Sequence, residues 1–395
     1  MKPLSLKELL CGVASVGVDG TVRSVVTDSR KAGEGSVFVA IRGERTDGHD
    51  HAASTLAQGA LCVVAEHPIA GVPAERTALV DSSLDAMIAM SANYRARFSP
   101  MLIGITGSVG KTTTKEFCAA VFSEFGVTLK TEGNQNNELG VPNTLFCLDE
   151  DVEYAVVEMG MDKIGDLHKL TLAAKPAAAI ITRIGVSHIE HLGSRENILK
   201  AKMEICDGIA PGGALIVNGD DDLLSRTMAP RGLRKIAFGI DDRFAQVIAC
   251  DIISSTQGEH FTIRDKQNGD FAAFIPTVGR HNIYNALAAY TLATRQGLDP
   301  ARVVAALETY ETTGLRQHVV EKNGMLIIED CYNANPDSMR AGLEALAVLA
   351  QARGGKRVAV LGDMLELGEI SDAAHRQAGQ YAARSGVELL ITVGK

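Results

Sequence analysis

The sequence has no Cys-x-x-C pair, although it contains seven cysteines, at positions 11, 62, 118, 147, 206, 250 and 331. Scattered singly, they offer neither a disulfide frame nor a zinc site, and they fit reduced thiols in a cytosol. A basic surplus is missing too: 39 lysines and arginines face 48 aspartates and glutamates, a net charge of −9. Pairing with nucleic acid phosphates needs the opposite balance, so nucleic acid is excluded as a main partner. No apolar run approaches the roughly 18 residues of a membrane span, and no internal repeat or low-complexity segment occurs. Lys2 and Lys7 ahead of the apolar stretch from Leu9 to Val18 superficially suggest a secretory signal. However, Ser5-Leu6-Lys7-Glu8 is a capping-box pattern that opens a helix, and Glu8 stands where a signal needs apolar residues. The expectation is a soluble cytoplasmic protein with no membrane insertion. Its 395 residues, 46% of them hydrophobic, allow two to four packed domains.

What is present is organised around Leu102-Ile-Gly-Ile-Thr106-Gly107-Ser108-Val109-Gly110-Lys111-Thr112-Thr113-Thr114-Lys115-Glu116. The apolar run ending at Ile105 reads as a buried strand, and the amphipathic stretch from Lys111 to Phe125 as a helix. Glycines between them let the backbone approach a polyphosphate, at which the first amides of the helix then point. Lys111 adds a cation for the terminal phosphates, and the Thr112 hydroxyl can ligate Mg²⁺. The usual phosphate loop has four residues between its glycines; here Gly107 and Gly110 are separated by two. With a strand before and a helix after, an ordinary helix start is the weaker reading. The chain is expected to bind a nucleoside triphosphate.

The fold class expected is α/β in three domains. Residues 1–97 form a small α/β unit, with strands at Val22–Thr27, Ser36–Ala40 and Leu61–Ala65 between helical stretches. Its polar loops, Thr27-Asp-Ser29-Arg30 and Arg42 to His49, either line a cleft at the strand ends or are plain turns. Ser99-Pro100 marks a boundary, because the residue before proline resists helix. Residues 98–311 alternate strand and helix as a parallel sheet requires. Here Thr131–Thr144, rich in asparagine (Asn134, Asn136, Asn137), is a surface loop or a substrate loop. Tyr154–Glu158 is an apolar strand ending in a carboxylate, the place of a metal-ligating acid in nucleotide-binding sheets. Ala178–Thr182 leads into Arg183-Ile-Gly185-Val-Ser-His188-Ile-Glu190-His191, a candidate metal or phosphate locus. Lys202 lies on a helix from Glu196, where spacing alone suggests a solvated face. Residues 246–278 read as antiparallel strands. After them Asn282 either caps a helix or bonds an adenine edge.

Residues 312–395 form the third unit. Its strands near Met325, Arg357 and Glu388 are expected to make one parallel sheet. Pro336 suits the first position of a helix capped by Asn335. An α/β unit ending directly after a strand is expected to be incomplete, since a helix should cover that face.

Several of these motifs together resemble the Mur ligases, ATP-dependent amide-bond formers of bacterial cell-wall synthesis, along the whole chain. The resemblance is carried by Thr106-Gly107-Ser-Val-Gly110-Lys111-Thr-Thr, Glu158, Ile184-Gly-Val-Ser-His188-Ile-Glu190, Ala201-Lys202-Met-Glu-Ile205 and Gly279-Arg-His-Asn282-Ile-Tyr-Asn285. Asn134-Gln-Asn-Asn137, Tyr332-Asn333-Ala-Asn335-Pro336 and Leu361-Gly-Asp-Met-Leu-Glu-Leu-Gly368 select within the family. They point to the member that takes UDP-N-acetylmuramoyl-tripeptide and D-Ala-D-Ala and proceeds through an acyl phosphate.

The resemblance implies ATP bound by Gly107, Ser108, Val109, Gly110, Lys111, Thr112 and Thr113, with Asn282 at the adenine, Arg316 at a phosphate and Asp330 from the third unit. Two Mg²⁺ are implied, one on Thr112 and Glu158, the other on His188 and a carbamylated Lys202; Lys111, Lys202, His188 and Glu158 would be catalytic. Substrate contacts fall to Ser29, Asp47, Gly48 and His49 for the UDP sugar, and to Asn134, Asn137, Asn333 and Asn335. Arg183 stands where many relatives have Asn. A monomer is expected. Among competing readings, the ligase that adds the third residue carries an Arg-containing C-terminal signature absent here. The Asn-Ala-Asn-Pro run speaks against it and against a folate-polyglutamate former. A GTPase switch would need an Asn-Lys-x-Asp guanine reader, which the sequence lacks.

Overall fold

Apolar runs too short for helices become strands here, and the longest sheet they build is the floor of the protein. The computed structural model describes residues 1–394. Near the N-terminus, β1 (Ser24–Val26), β2 (Ser36–Val39), β3 (Cys62–Ala65) and β4 (Thr77–Leu79) form a parallel sheet in that order. Strands β2 and β3 are buried along their whole length, which is why they read as unbroken apolar runs rather than alternating ones. Helix α1 (Ser83–Arg95) starts at Ser82, whose hydroxyl accepts from Asp85 N at 3.2 Å, and buries Met87, Met90 and Tyr94. The Tyr94 hydroxyl donates to Leu148 O at 2.7 Å, tying this unit to the next. The expected capping box is present: Glu8 N donates to Ser5 Oγ and Ser5 N to Glu8 Oε2, although the helix it opens runs only from Leu6 to Leu9.

The middle of the chain forms a nine-stranded sheet. Its members are β5 (Met101–Thr106), β6 (Thr128–Lys130), β7 (Tyr154–Glu158), β8 (Ala178–Ile181), β9 (Ala214–Asn218), β10 (Arg234–Gly239), β11 (Val247–Ser254), β12 (Glu259–Asp265) and β13 (Gly269–Ile275). Their spatial order is β13-β12-β11-β10-β9-β8-β5-β7-β6. Pairing is parallel from β6 to β11, while β11, β12 and β13 form an antiparallel meander at one edge. Helices α2 (Lys111–Ser123), α3 (Asp166–Ala174), α4 (Arg195–Met203), α5 (Arg280–Arg295) and α6 (Pro300–Leu307) cover its faces. Helix α5 is buried along almost its full length against α2, and such packing makes a chain of alanines worth more here than bulkier residues. Tyr310, past the end of α6, stacks on Phe117 of α2 with ring centroids 3.9 Å apart.

The third unit corrects one expectation. The strand at Met325 joins no parallel sheet: β14 (His318–Lys322) and β15 (Met325–Glu329) form an antiparallel hairpin, while β16 (Val358–Gly362) and β17 (Leu389–Val393) pair in parallel by themselves. The cause is local. Lys322 pairs with Met325, so Asn323 and Gly324 alone make the turn, and both have positive φ, 53° and 75°. That is the mirror-image two-residue turn that Asn-Gly favours. Helix α7 (Pro336–Arg353) begins as expected, with Asn335 accepting from Ser338 N at 2.9 Å and Pro336 in the first position, and α8 (Ser371–Arg384) packs beside it.

Burial in this unit is thin. Val360, Leu389 and Val393 are 62, 53 and 58% exposed, and its apolar clusters centre on Leu343, Ala359 and Ala382 and on Met364, Leu367 and Ala374. Native-state hydrogen exchange is therefore expected to show α7 and α8 opening at lower free energy than α2 and α5. Amides of α7 exchanging as slowly as those of α5 would contradict this.

Candidate functional site

Ligands of open parallel sheets bind beyond the carboxyl ends of the strands, where the winding reverses. Here that point is β5, flanked by β7 and β8, so three strand ends meet: Thr106, Glu158 and, just past Ile181, Thr182. The glycine loop grows from β5. Gly107 has φ 152°, and a Cβ placed there would come 1.8 Å from Thr182 Oγ1, so no other residue fits. Thr182 Oγ1 donates to Val109 O at 2.5 Å and Ser108 N to Arg183 O at 2.8 Å, stitching the loop to the end of β8. Gly110 (φ 82°) opens α2 without any side-chain cap, which leaves the first amides of that helix open to a ligand at its positive end. Lys111 Nζ folds over the loop to donate to Gly107 O at 2.9 Å; burial lowers its pKa, with Glu158 opposing.

Glu158 is held from several sides. Its Oε1 accepts from Asn136 Nδ2 at 2.7 Å and from Thr112 Oγ1 at 3.3 Å, and its backbone N donates to Thr131 Oγ1. Its Oε2 is buried with no hydrogen-bond partner. Lys115, fully buried, stands 4.0 Å from that oxygen, 3.1 Å from Glu116, and donates to Gly133 O at 2.7 Å. His188 has φ 63°; its Nδ1 lies 2.8 Å from Glu366 Oε2 and 3.5 Å from Asp162 Oδ1. Burial pushes its pKa down, Lys202 and Lys111 act in the same direction, and Glu366 opposes.

Lys202 is not on the solvated face that spacing suggested: it is 1% exposed. Burial, reinforced by the charge of Lys111, brings its pKa well below the ordinary lysine value. A buried ammonium facing another cation is costly, and the backbone of α4 carries it there regardless.

Among the described residues no three His, Cys, Asp or Glu side chains gather into a ready metal site. This donor set still suits Mg²⁺, which takes one or two carboxylates and completes its shell with phosphate and water oxygens. The orphaned Glu158 Oε2 beside the Thr112 hydroxyl is such a partial site.

A cleft of about 940 Å³ opens above these strand ends and is lined by all three units. The middle unit contributes Ser108 to Thr113, Asn137, Glu158, His188 and Asn282; the third contributes Asp330, Asn333 and Asn335, with Arg316 from the connecting segment. Asn282 does not cap α5: its amide donates to Thr277 Oγ1, Val278 O and Gln317 Oε1, closing the far end of the cleft. Arg316 reaches Thr112 Oγ1 at 3.5 Å and lies over the Tyr332 ring at 4.2 Å, while Asn134 Nδ2 donates to the Tyr332 hydroxyl. Burial raises the pKa of Asp330, with Arg316 opposing.

From the first unit Arg42 and Gly43 line the cleft, whereas Ser29, Asp47, Gly48 and His49 lie outside its lining, as do Gly107, Asn134 and Lys202. His49 is buried, with Nδ1 on Asp47 Oδ1 at 2.6 Å and Nε2 accepting from Glu66 N at 3.1 Å, so it braces the Asp47 turn from within. Sequence reasoning gave no role to Lys115 or Asp162, and it met Asn136 and Glu366 only as members of an asparagine-rich loop and a family motif. For Lys115 a signal existed: four residues beyond Lys111, it shares that face of α2.

Three family profiles match the chain: the Mur ligase family catalytic domain at residues 21–93, the Mur ligase middle domain at 105–293 and the Mur ligase glutamate ligase domain at 315–395. The UDP-N-acetylmuramoyl-tripeptide–D-alanyl-D-alanine ligase of Bacillus subtilis is 36% identical over 376 residues, covering 95% of this chain and 80% of its own length. The Escherichia coli ligase of the same name is 35% identical over 381 residues, with 96 and 83% covered. Among solved structures, MurF from Acinetobacter baumannii superposes with a TM-score of 0.92 at 32% identity, over 100% of this chain and 86% of that one. MurF of Thermotoga maritima in complex with ADP superposes at 0.83 and 29% identity, covering 94 and 88%.

Proposed function

This chain belongs to the Mur ligase family, and from that membership we propose that it joins D-alanyl-D-alanine to UDP-N-acetylmuramoyl-tripeptide, cleaving ATP to ADP and phosphate. The observation that carries the reading is 36% identity across 95% of the chain to a ligase of that name, together with a phosphate loop at the switch point of the sheet.

A carboxylate resists attack by an amine because oxide is a poor leaving group. In the proposed reaction an oxygen of the tripeptide carboxylate attacks the γ-phosphorus of ATP, and the bond to ADP breaks. The acyl phosphate then has a good leaving group. The free amine of D-Ala-D-Ala adds to its carbonyl carbon, the tetrahedral adduct expels phosphate, and the nitrogen loses a proton to give the amide. Both steps crowd anionic oxygens together. Lys111, whose Nζ here donates to Gly107 O, and the first amides of α2 are the chain's own groups for the γ-phosphoryl oxygens, and the amides need no reorganisation once the loop is formed. Arg316 adds a second cation to the phosphates. The third unit, closing over the cleft, keeps water from the acyl phosphate.

Asn282 is assigned to the adenine end and Asp330 to the nucleotide from the third unit. Ser29 and the Asp47–Gly48 turn braced by His49 are assigned to the UDP moiety, and Asn134, Asn137, Asn333 and Asn335 to the peptide side. Thr112 and Glu158 would hold one Mg²⁺; His188, with a carbamate formed on Lys202, would hold a second. Such ions supply charge neutralisation between nucleophile and phosphate. For the carbamate, the neutral Lys202 amine adds to CO₂ and loses a proton, turning a costly buried cation into an oxygen donor. Burial and the neighbouring Lys111 support a neutral amine. Action as a monomer in a cytoplasmic setting completes the reading; seven free cysteines are consistent with that compartment.

The direct test is phosphate release with ATP and the UDP-tripeptide, with and without D-Ala-D-Ala. Release that depends on the dipeptide, with the pentapeptide product seen by mass, is expected. Release unaffected by the dipeptide would remove the assignment.

A further inference from the structure

His188 receives a neighbour from a distant part of the chain, Glu366 in the third unit, in the loop between β16 and α8. We propose that Glu366 is a positioning residue, which from the docked third unit holds the His188 ring with its proton on Nδ1 and leaves Nε2 as the only lone pair available to a ligand. The inference rests on the reading of His188 as a ligand in the ligase reaction.

Three observations carry it. Glu366 Oε2 stands 2.8 Å from His188 Nδ1, and Asp162 Oδ1 stands 3.5 Å from the same nitrogen. His188 Nδ1 is buried and has no hydrogen-bond partner, the nearer carboxylate lying out of line, so what acts is charge: a lone pair on Nδ1 would face carboxylate oxygen, whereas an N–H there is attracted. Asp162 is a weak competitor, because its side chain is 80% exposed and screened by solvent.

Secondly, both residues hold left-handed backbone, His188 at φ 63° and Glu366 at φ 59°. Side chains other than glycine adopt it only where the surroundings impose it, and such positions concentrate at functional sites. Thirdly, the surroundings do impose it. Glu190 N donates to Glu366 O at 3.3 Å, two residues beyond His188 itself. Met364 and Leu367, 2 and 3% exposed, pack with Val186 from the His188 segment, and Met364 N donates to His375 Nε2 at 3.0 Å. The acid is thus anchored to the same loop that carries the histidine, and the contact exists only when the third unit is docked. A carboxylate behind a liganding imidazole fixes its tautomer and rotation, and losing such a partner typically costs about 10- to 100-fold in activity or affinity.

The experiment is ¹⁵N-histidine NMR on the full chain without substrates, with His188 assigned by its loss in His188→Gln. Wild type is expected to show His188 as the Nδ1–H tautomer. Glu366→Ala should mix in the Nε2–H form, and Glu366→Lys should favour it outright, because an ammonium can only donate to Nδ1. In the ligation assay, Glu366→Ala is expected to lower kcat by about 10- to 100-fold with the KM for ATP within about threefold. Glu366 is half exposed, so both variants are expected to melt close to wild type. An unchanged tautomer in the two variants would overturn the proposal, as would a kcat within about threefold of wild type. The two readings fail separately: a wild-type chain without dipeptide-dependent phosphate release would remove the ligase reading, while the tautomer, read without substrates, would still decide the role of Glu366.

Discussion

Lys111→Ala is expected to leave the chain folded and to slow dipeptide-dependent phosphate release by about two to three orders of magnitude, the effect of losing one preorganised charge contact. The side chain caps the loop by donating to Gly107 O at 2.9 Å, and its removal leaves the stitching by Ser108 N and Thr182 Oγ1 in place. Burial works against its charge, which offsets the lost bond to Gly107 O, so the melting temperature should shift little. Most of the loss should fall on kcat rather than on the KM for ATP, because the backbone cradle is untouched while the charge is needed most as the phosphoryl group transfers. A kcat within about threefold of wild type would refute the role given to this lysine.

Lys202 gives the second large effect. Lys202→Ala is expected to lower the rate by about two orders of magnitude or more, since charge stabilisation of several kcal/mol is lost with an oxygen donor at the phosphoryl site. Two further results separate a carbamate from a merely structural lysine. High bicarbonate, or a short carboxylate such as formate or acetate, small enough for the vacated space, should restore part of the rate of the variant. Lys202→Ala is expected to melt below wild type because it empties a fully buried volume, whereas Lys202→Met, which fills that volume without a charge, should melt level with wild type or above it. No carboxylate rescue of Lys202→Ala, together with a Lys202→Met variant that melts well below wild type, would make this lysine a packing residue.

How much of this was legible in the sequence varies with the range of the forces involved. Strand β5, the glycine loop and helix α2 were readable because each depends on neighbours in sequence: an apolar run, a glycine-bounded turn, a helix start. The N-cap at Asn335 and the capping box at Ser5 were readable for the same reason. The hairpin at Asn323-Gly324 was equally local, but that turn went unread, and the Met325 strand was expected in the parallel sheet with the strands near Arg357 and Glu388. Lys202 is the opposite case. Nothing in the spacing of α4 separates it from Lys200; only the packing of that helix against the sheet, set by residues far along the chain, decides which lysine turns inward. Only likeness to a family marked it. Lys115 and Glu366 lay inside runs already singled out, the helix start and a family motif, yet neither was given a role, since their partners, Gly133 and Glu158 for one and His188 for the other, come together through the fold alone.

The Tyr310–Phe117 stack has a mechanical consequence. Tyr310 is the last well-buried side chain before the connecting segment to the third unit, and Phe117 belongs to the helix that the phosphate loop opens. The segment from Glu311 to Gln317 has no regular structure, and Gly314 within it has φ 62°. The third unit is therefore joined to the nucleotide helix through an anchored Tyr310, then an irregular segment containing Gly314, with Arg316 bridging back to Thr112 and Tyr332. Any swing that lifted Glu366 away from His188 would turn about the same post that sets the phosphate loop, so the lever and its load would share one foundation.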